Sequence, residues 1–239
     1  MFLKLNCIMR NKTHLKKIKD RIQTSCKFCI SILLFAGLLC AGCKRTVTDI
    51  YPSGKPKSEM QYIGKKLDGM SIWYYESGNK QLEISYENGL ANGKLIRWSA
   101  AGTKMLEENY IKGSRSGKST TWDENGCRLE EKNFVNDTLD GKYFLWYPTG
   151  MVKIEGSYLR GMFHGRWDYY NETGLKVGEG NFNKGAGKQR AFSRDRKLTH
   201  EVTYWKNMKD GSETWFDASG KPAKHVEWKE GKFVSEKQL

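Results

Sequence analysis

Beyond residue 42 this chain has no sustained 3.6-residue apolar period, few prolines and almost none of the residues that carry enzyme chemistry. Of its 239 residues, 4 are proline and 6 are cysteine. Cys7, Cys26, Cys29 and Cys40 fall in the N-terminal segment, and beyond Cys43 only Cys127 follows, so no disulfide framework can staple the rest. Histidine is equally sparse there: His164, His200 and His225 stand far apart. The chain contains no His-Glu-x-x-His pair, no Gly-x-Ser-x-Gly elbow and no phosphate loop, and Gly113-Ser114-Arg115-Ser116-Gly117 puts arginine where a nucleophile would stand. Since no segment is left to house a catalytic domain, the expectation is a non-enzyme with no catalytic residues, no cofactor and no metal site.

The first 42 residues read differently from the rest. Met1 to Lys27 is basic, Phe28 to Cys40 is an uncharged apolar run too short for a comfortable membrane-spanning helix, and small residues follow at Ala41 and Gly42. That is the layout of an export signal. The run Leu39-Cys40-Ala41-Gly42-Cys43 resembles the bacterial lipoprotein box, which implies lipidation of Cys43 and a mature chain that starts there. The expected location is the bacterial cell envelope, as a lipoprotein of the outer membrane facing the periplasm. Residues 1 to 42 hold 8 of the 41 basic and 1 of the 27 acidic side chains, so the remainder carries +7 of the total +14. Half of the basicity is therefore targeting. What remains, including Lys94, Lys118, Lys142, Arg166 and Lys188, is spread as on a solvated sheet, and nucleic acid is not an expected partner.

What the chain has in abundance is a 24-residue repeat. Aromatic residues recur at Tyr62, Tyr86, Tyr110, Phe134, Tyr158, Phe182, Tyr204 and Trp228, with one gap of 22 between Phe182 and Tyr204. Seven residues after each of the first seven, or five after Phe182, comes glycine (Gly69, Gly93, Gly117 and so on to Gly211), and five further on a second aromatic, as at Tyr74, Trp98, Trp122 and Trp146. Within a unit Leu82, Ile84 and Tyr86 share one parity while Glu83 and Ser85 hold the other, which is the period of a strand. Runs such as Glu87-Asn88-Gly89-Leu90 supply hairpin turns, and Ser77-Gly78 or Thr149-Gly150 supply the turns between units. The expected fold is all-β: a repeat array of about seven β-hairpin units, an elongated, twisted antiparallel meander of about fifteen strands with aromatic residues lining one face. Its expected limits are a signal over 1–42, a tether over 43–50 and the repeat domain over 51–239.

The spacing seen from Tyr86 to Trp98, Tyr-Glu-Asn-Gly-Leu-Ala-Asn-Gly-Lys-Leu-Ile-Arg-Trp, resembles the MORN repeat, and more closely its bacterial variant in YwqK-type antitoxin (immunity) proteins. The resemblance covers about 190 residues. It implies a β-hairpin array that acts by binding, with roles in protein association, membrane-lipid contact or toxin neutralisation. The expected function is a lipid-anchored scaffold for another macromolecule, with a protein as the partner; an antitoxin facing a cognate toxin and a binder of lipid head groups or glycan are the alternatives.

Two columns invite a site. A glutamate lies three residues before each aromatic from Glu59 to Glu201; pairing across strands with Lys or Arg, or a hydrogen bond to a turn, is its expected role, and a cation- or amine-binding ladder is the alternative. Aromatics surplus to the repeat are the better candidates for recognition: Trp73, Tyr75, Phe163, His164 beside it, Trp167, Tyr169, Trp205 and Trp215.

Overall fold

The computed structural model describes residues 43–239; the export signal read over 1–42 lies outside them. The described residues form one antiparallel sheet with no helix. After β1 (Lys44–Ile50) come β2 (Pro56–Ile63), β3 (Lys66–Tyr74), β4 (Lys80–Glu87), β5 (Leu90–Trp98) and β6 (Lys104–Ile111). The middle of the array is β7 (Ser114–Arg115), β8 (Gly117–Trp122), β9 (Arg128–Val135), β10 (Thr138–Trp146), β11 (Val152–Leu159), β12 (Met162–Phe163) and β13 (Gly165–Tyr170). The far end is β14 (Lys176–Asn183), β15 (Ala186–Phe192), β16 (Leu198–Trp205), β17 (Met208–Phe216), β18 (Pro222–Lys229) and β19 (Lys232–Gln238). Each pairs with its chain neighbours, β7 with β8 and β12 with β13 acting as two halves of one strand. The meander is thus the expected one, with two additions. Trp228 opens a further hairpin, β18–β19, and residues 44–50, expected to be a tether, pair with β2 from Lys44↔Ile63 to Ile50↔Pro56.

Turn chemistry sets the hairpins. Asn88 and Gly89 both take positive φ, 52° and 87°, the two-residue turn whose twist matches that of the strands it joins. Between units a longer turn closes on glycine, as where Gly78 N–H donates to Tyr75 O and Tyr75 N–H to Asn79 O. The first position of that turn is filled in two ways. Asp123, Asn171 and Asp217 accept from backbone amides of their own turn, whereas Tyr51, Tyr75 and Tyr147 donate their hydroxyls to a carbonyl of the next unit.

The second glycine column marks a bulge. In β4–β5, Ile84 faces Leu95 and Tyr86 faces Ala91, so Ser85 alone stands against Asn92, Gly93 and Lys94. Two extra residues sit on the second strand. In β9–β10 the same bulge holds Gly141 at φ +106, where a Cβ would come 3.3 Å from Asn133 Cβ. Hairpin β14–β15 has no such shift: Asn181 faces Lys188 and Phe182 faces Gly187. The 22-residue gap is this missing bulge.

The core runs along the middle of one face, called here the inner face. Ile84, Trp167, Val202 and Val226 are buried there beside Ser71, Ser119 and Glu213, and the first-aromatic column flanks them, with Phe134 and Phe182 also buried. The second-aromatic column lies on the other, outer face, which corrects the expectation that the aromatics share a side. A two-residue turn pairs residues an odd number apart, as Tyr62 with Leu67, so residues twelve apart on the two strands of one hairpin point to opposite faces.

Candidate binding face

The inner face is a packed line, densest around the middle of the array. Trp167 stacks on Tyr143 at 5.6 Å between ring centroids and meets Tyr158 at 5.1 Å and Phe163 at 4.9 Å edge-on. Phe163 continues the cluster to Phe182 at 5.3 Å and Tyr204 at 6.3 Å. Glycine makes the room: a Cβ on Gly156 would collide with the Trp167 indole, and one on Gly180 with the Phe182 ring. Burial pushes the phenols of Tyr143, Tyr158 and Tyr169 up from their ordinary value, as expected where water is excluded. Tyr110, which also donates to Glu108 at 2.9 Å, is pushed up to about 12 by burial first and by that carboxylate second.

The outer face carries a different arrangement, repeated unit by unit. Lys80 lies over the Trp98 ring at 5.6 Å, Lys104 over Trp122 at 4.3 Å and Arg128 over Trp146 at 5.0 Å. The same cations reach the glutamate column: Lys80 to Glu83 at 2.5 Å, Lys104 to Glu107 at 2.9 Å and Arg128 to Glu131 at 3.7 Å. From the unit before, Lys94 adds to Glu107 at 2.8 Å and Lys118 to Glu131 at 2.9 Å. Hydrogen bonds from Lys94 and Lys104 hold the Glu107 carboxyl below its ordinary value despite partial burial. Exposed pairs of this kind contribute about 0–1 kcal/mol each, so their main effect is to fix each cation over its indole. Glu107, Glu131 and Glu201 pair across strands as expected, whereas Glu83 and Glu179 take a lysine three residues earlier on their own strand. They share a face with the Trp column, which reading the two aromatic columns as one concealed.

The surplus aromatics do not form one exposed set. Trp167, expected as a recognition residue, is 3% exposed and belongs to the core, and Phe163 and Tyr169 pack in the same region. Tyr75 ties its turn to Trp98 O at 3.0 Å. His164 accepts from Lys184 N–H at 3.5 Å through Nδ1, in the position where Asp68, Asn92, Asp140 and Asp210 cap the next turn. Trp73 and Trp215 are half-buried on the inner face near opposite ends, Trp215 against His200 at 4.8 Å. Trp205 alone is well exposed, at 53%, beside Met208 on the hairpin-turn edge. The signal that would have found the outer ladder is a cation six residues before three successive first aromatics (Lys80, Lys104, Arg128), in step with Trp98, Trp122 and Trp146.

Among the described residues no three His, Cys, Asp or Glu stand together as metal ligands, and no helix is long and apolar enough to cross a membrane. No curated protein matches the chain. The family model described as a MORN repeat variant matches residues 67–88, 139–159 and 209–230. Each match starts on the second strand of one hairpin, crosses the inter-unit turn and ends at the next hairpin turn, and each contains an Asp-Gly at the bulge: Asp68-Gly69, Asp140-Gly141 and Asp210-Gly211. With these matches set in one continuous sheet of hairpins, the chain is a MORN-like repeat protein.

Proposed function

We propose that the chain is a non-catalytic scaffold of the cell envelope that binds a protein partner through the outer face of its sheet. The observation that carries this is the ladder Trp98, Trp122, Trp146, each under a cation held by a glutamate, on a face that no second layer among the described residues covers. Trp is among the residues that dominate the energetics of protein interfaces because it gives large contact area with a polar handle, and here each indole is already ordered under its cation. Toxin neutralisation is one form such binding takes, and a toxin gene beside this one would single it out.

The anchor belongs to the same proposal. Cys43 is exposed and stands immediately before β1, so lipid on its thiol would hold the sheet against the membrane with no slack. Replacing Cys43 by Ser removes the thiol that the thioether needs; a mutant still lipidated and processed would overturn the lipoprotein reading.

A lipid-facing role has its own support. Ile63, Leu90, Ile111, Val135, Trp205 and Met208 are exposed along the hairpin-turn edge, interleaved with turn lysines such as Lys112 and Lys206. Apolar side chains flanked by lysine suit a membrane surface. Capture from native envelopes with wild type, a Trp98→Ala/Trp122→Ala pair and a Leu90→Ser/Ile111→Ser pair tests both. Loss of a protein partner only in the Trp pair supports the outer face; the same proteins captured by all three would remove it.

A further inference from the structure

The one hairpin without a bulge among the described residues carries a pocket. Arg166, Glu179, Gly180, Asn181, Lys188 and Arg190 line a cleft of about 270 Å³ on the outer face. The cause is register. In the regular units the residue before the first aromatic is occupied by the bulge: Asn109 Nδ2 donates to Lys118 O at 2.8 Å and Asn133 Nδ2 to Lys142 O at 3.0 Å. Asn181 holds the same column, but with two residues deleted it faces Arg166 on one side and Lys188 on the other, in one unbroken cross-strand row. Its side chain lines the cleft instead of plugging a bulge. The adjoining row runs Asp168, Glu179, Arg190, Glu201.

These cations are steered rather than quenched. Asp168 takes Arg166 through Nε at 2.8 Å and Glu201 takes Arg190 through Nε at 2.7 Å, which leaves the terminal nitrogens of both guanidinium forks for a ligand. Lys188 reaches Glu201 at 2.7 Å with one of its three donors. Glu179, the one acid on the lining, is matched by Lys176 at 2.7 Å. Four cations therefore meet three carboxylates, and the surplus charge stands at the cleft.

We propose that this cleft is a binding site for a small doubly charged oxyanion, a phosphate or sulfate group, held between Arg166 and Lys188 above the Asn181 amide with Arg190 closing one end. Strands two apart set the stems of Arg166 and Lys188 roughly 9–10 Å from one another, a span their side chains close on a tetrahedral anion whose oxygens point both ways. The volume leaves room for the group that carries the anion. This site is independent of the ladder proposed as the protein-binding face.

The test is calorimetric titration of the full chain in detergent with inorganic phosphate and with sulfate, at an ionic strength held constant with chloride. Saturable binding is expected, weakened about tenfold or more by Arg166→Gln or Lys188→Gln, the loss of one charge-assisted contact. Lys118→Gln, an equally regular outer-face cation beside a bulged unit, should leave it unchanged. A second variant tests the register itself: inserting Ala-Asn between Ala186 and Gly187 restores the 24-residue spacing and should abolish binding while the circular dichroism of the sheet persists. Competition by phosphatidylcholine vesicles doped with phosphatidic acid would identify a lipid as the source of the phosphate, and its absence a soluble ester. No saturable binding of either anion, equal loss with Lys118→Gln, or full binding in the insertion variant would overturn the proposal.

Discussion

The side chain of Asn207 bonds the backbone around Phe163, 44 residues earlier in the chain: its Oδ1 accepts from Phe163 N–H at 2.8 Å and its Nδ2 donates to Gly161 O at 2.8 Å. The link spans the shortened hairpin. Elsewhere a polar residue just before the bulge glycine caps the first amide of the next turn, as Asp140 does for Arg160 and Asp210 for Glu230. The two residues missing between Phe182 and Tyr204 include that position, and Asn207 makes the connection from the other side.

Asn207 has φ 65°, so glycine keeps its backbone and removes only its amide. Asn207→Gly should therefore cost about 1–3 kcal/mol, from two lost bonds that leave part-buried partners unmatched. Hydrogen exchange should quicken at Gly161 to Phe163 and at the Lys206–Asn207 turn while β2 to β6 keep their protection, since solenoid stability is a sum of nearest-neighbour terms. Faster exchange throughout the sheet would mean that the bridge is not local.

Most of the architecture was legible because the repeat writes it eight times. Turn pairs such as Asn88-Gly89 fix hairpins, alternation around Ile84 fixes strands, and Glu107 and Glu131 were assigned to cross-strand pairs that form. What stayed hidden depends on pairing parity. Trp98 and Tyr86 look alike in sequence, yet an odd-numbered partner spacing sends them to opposite faces. The surplus aromatics misled for a related reason: Trp167 reads as an extra side chain, but Gly156 across from it is the vacancy it fills. Strand β1 was invisible because Lys44 to Ile50 has no second half with which to show a repeat.

The Gly156 and Trp167 match predicts a coupled pair. Trp167→Ala should cost about 3–5 kcal/mol through the cavity it leaves among Tyr143, Tyr158 and Phe163. Gly156→Ala should cost about 1–3 kcal/mol by forcing the indole aside. In the double variant the new methyl enters the space the indole vacates, so the combined loss should fall short of the sum. Additive losses in urea melts would show that the two sites do not share this space.

Gly141→Val tests the bulge. The φ of +106 and the 3.3 Å approach to Asn133 Cβ leave no relaxed conformation for a β-branched residue. The expected result is loosened amides in β9 to β11, with β16 to β19 as protected as in the wild type. Gly187, which sits where the bulge is missing and does not have positive φ, is under no such left-handed requirement.

Acid should attack the array first near its C-terminal end. Glu213 is buried on the inner face and accepts from Lys209 Nζ at 2.7 Å, His200 Nε2 at 2.9 Å and Trp228 Nε1 at 2.7 Å. Burial alone would raise its carboxyl, but these bonds outweigh burial and hold it below the ordinary 4.5. A depressed folded-state value means that the charged form stabilises the fold fully above 4.5, and that this advantage disappears as pH falls from there through the folded value. Amide exchange in β16 to β18 followed downward from neutral pH should rise below the ordinary carboxylate value. Glu213→Gln keeps the shape and removes the titration: it should lower stability by about 1–3 kcal/mol at neutral pH and flatten that acid limb. An acid limb unchanged in Glu213→Gln would place the sensitivity on other carboxylates, such as Glu201 under Lys188 and Arg190.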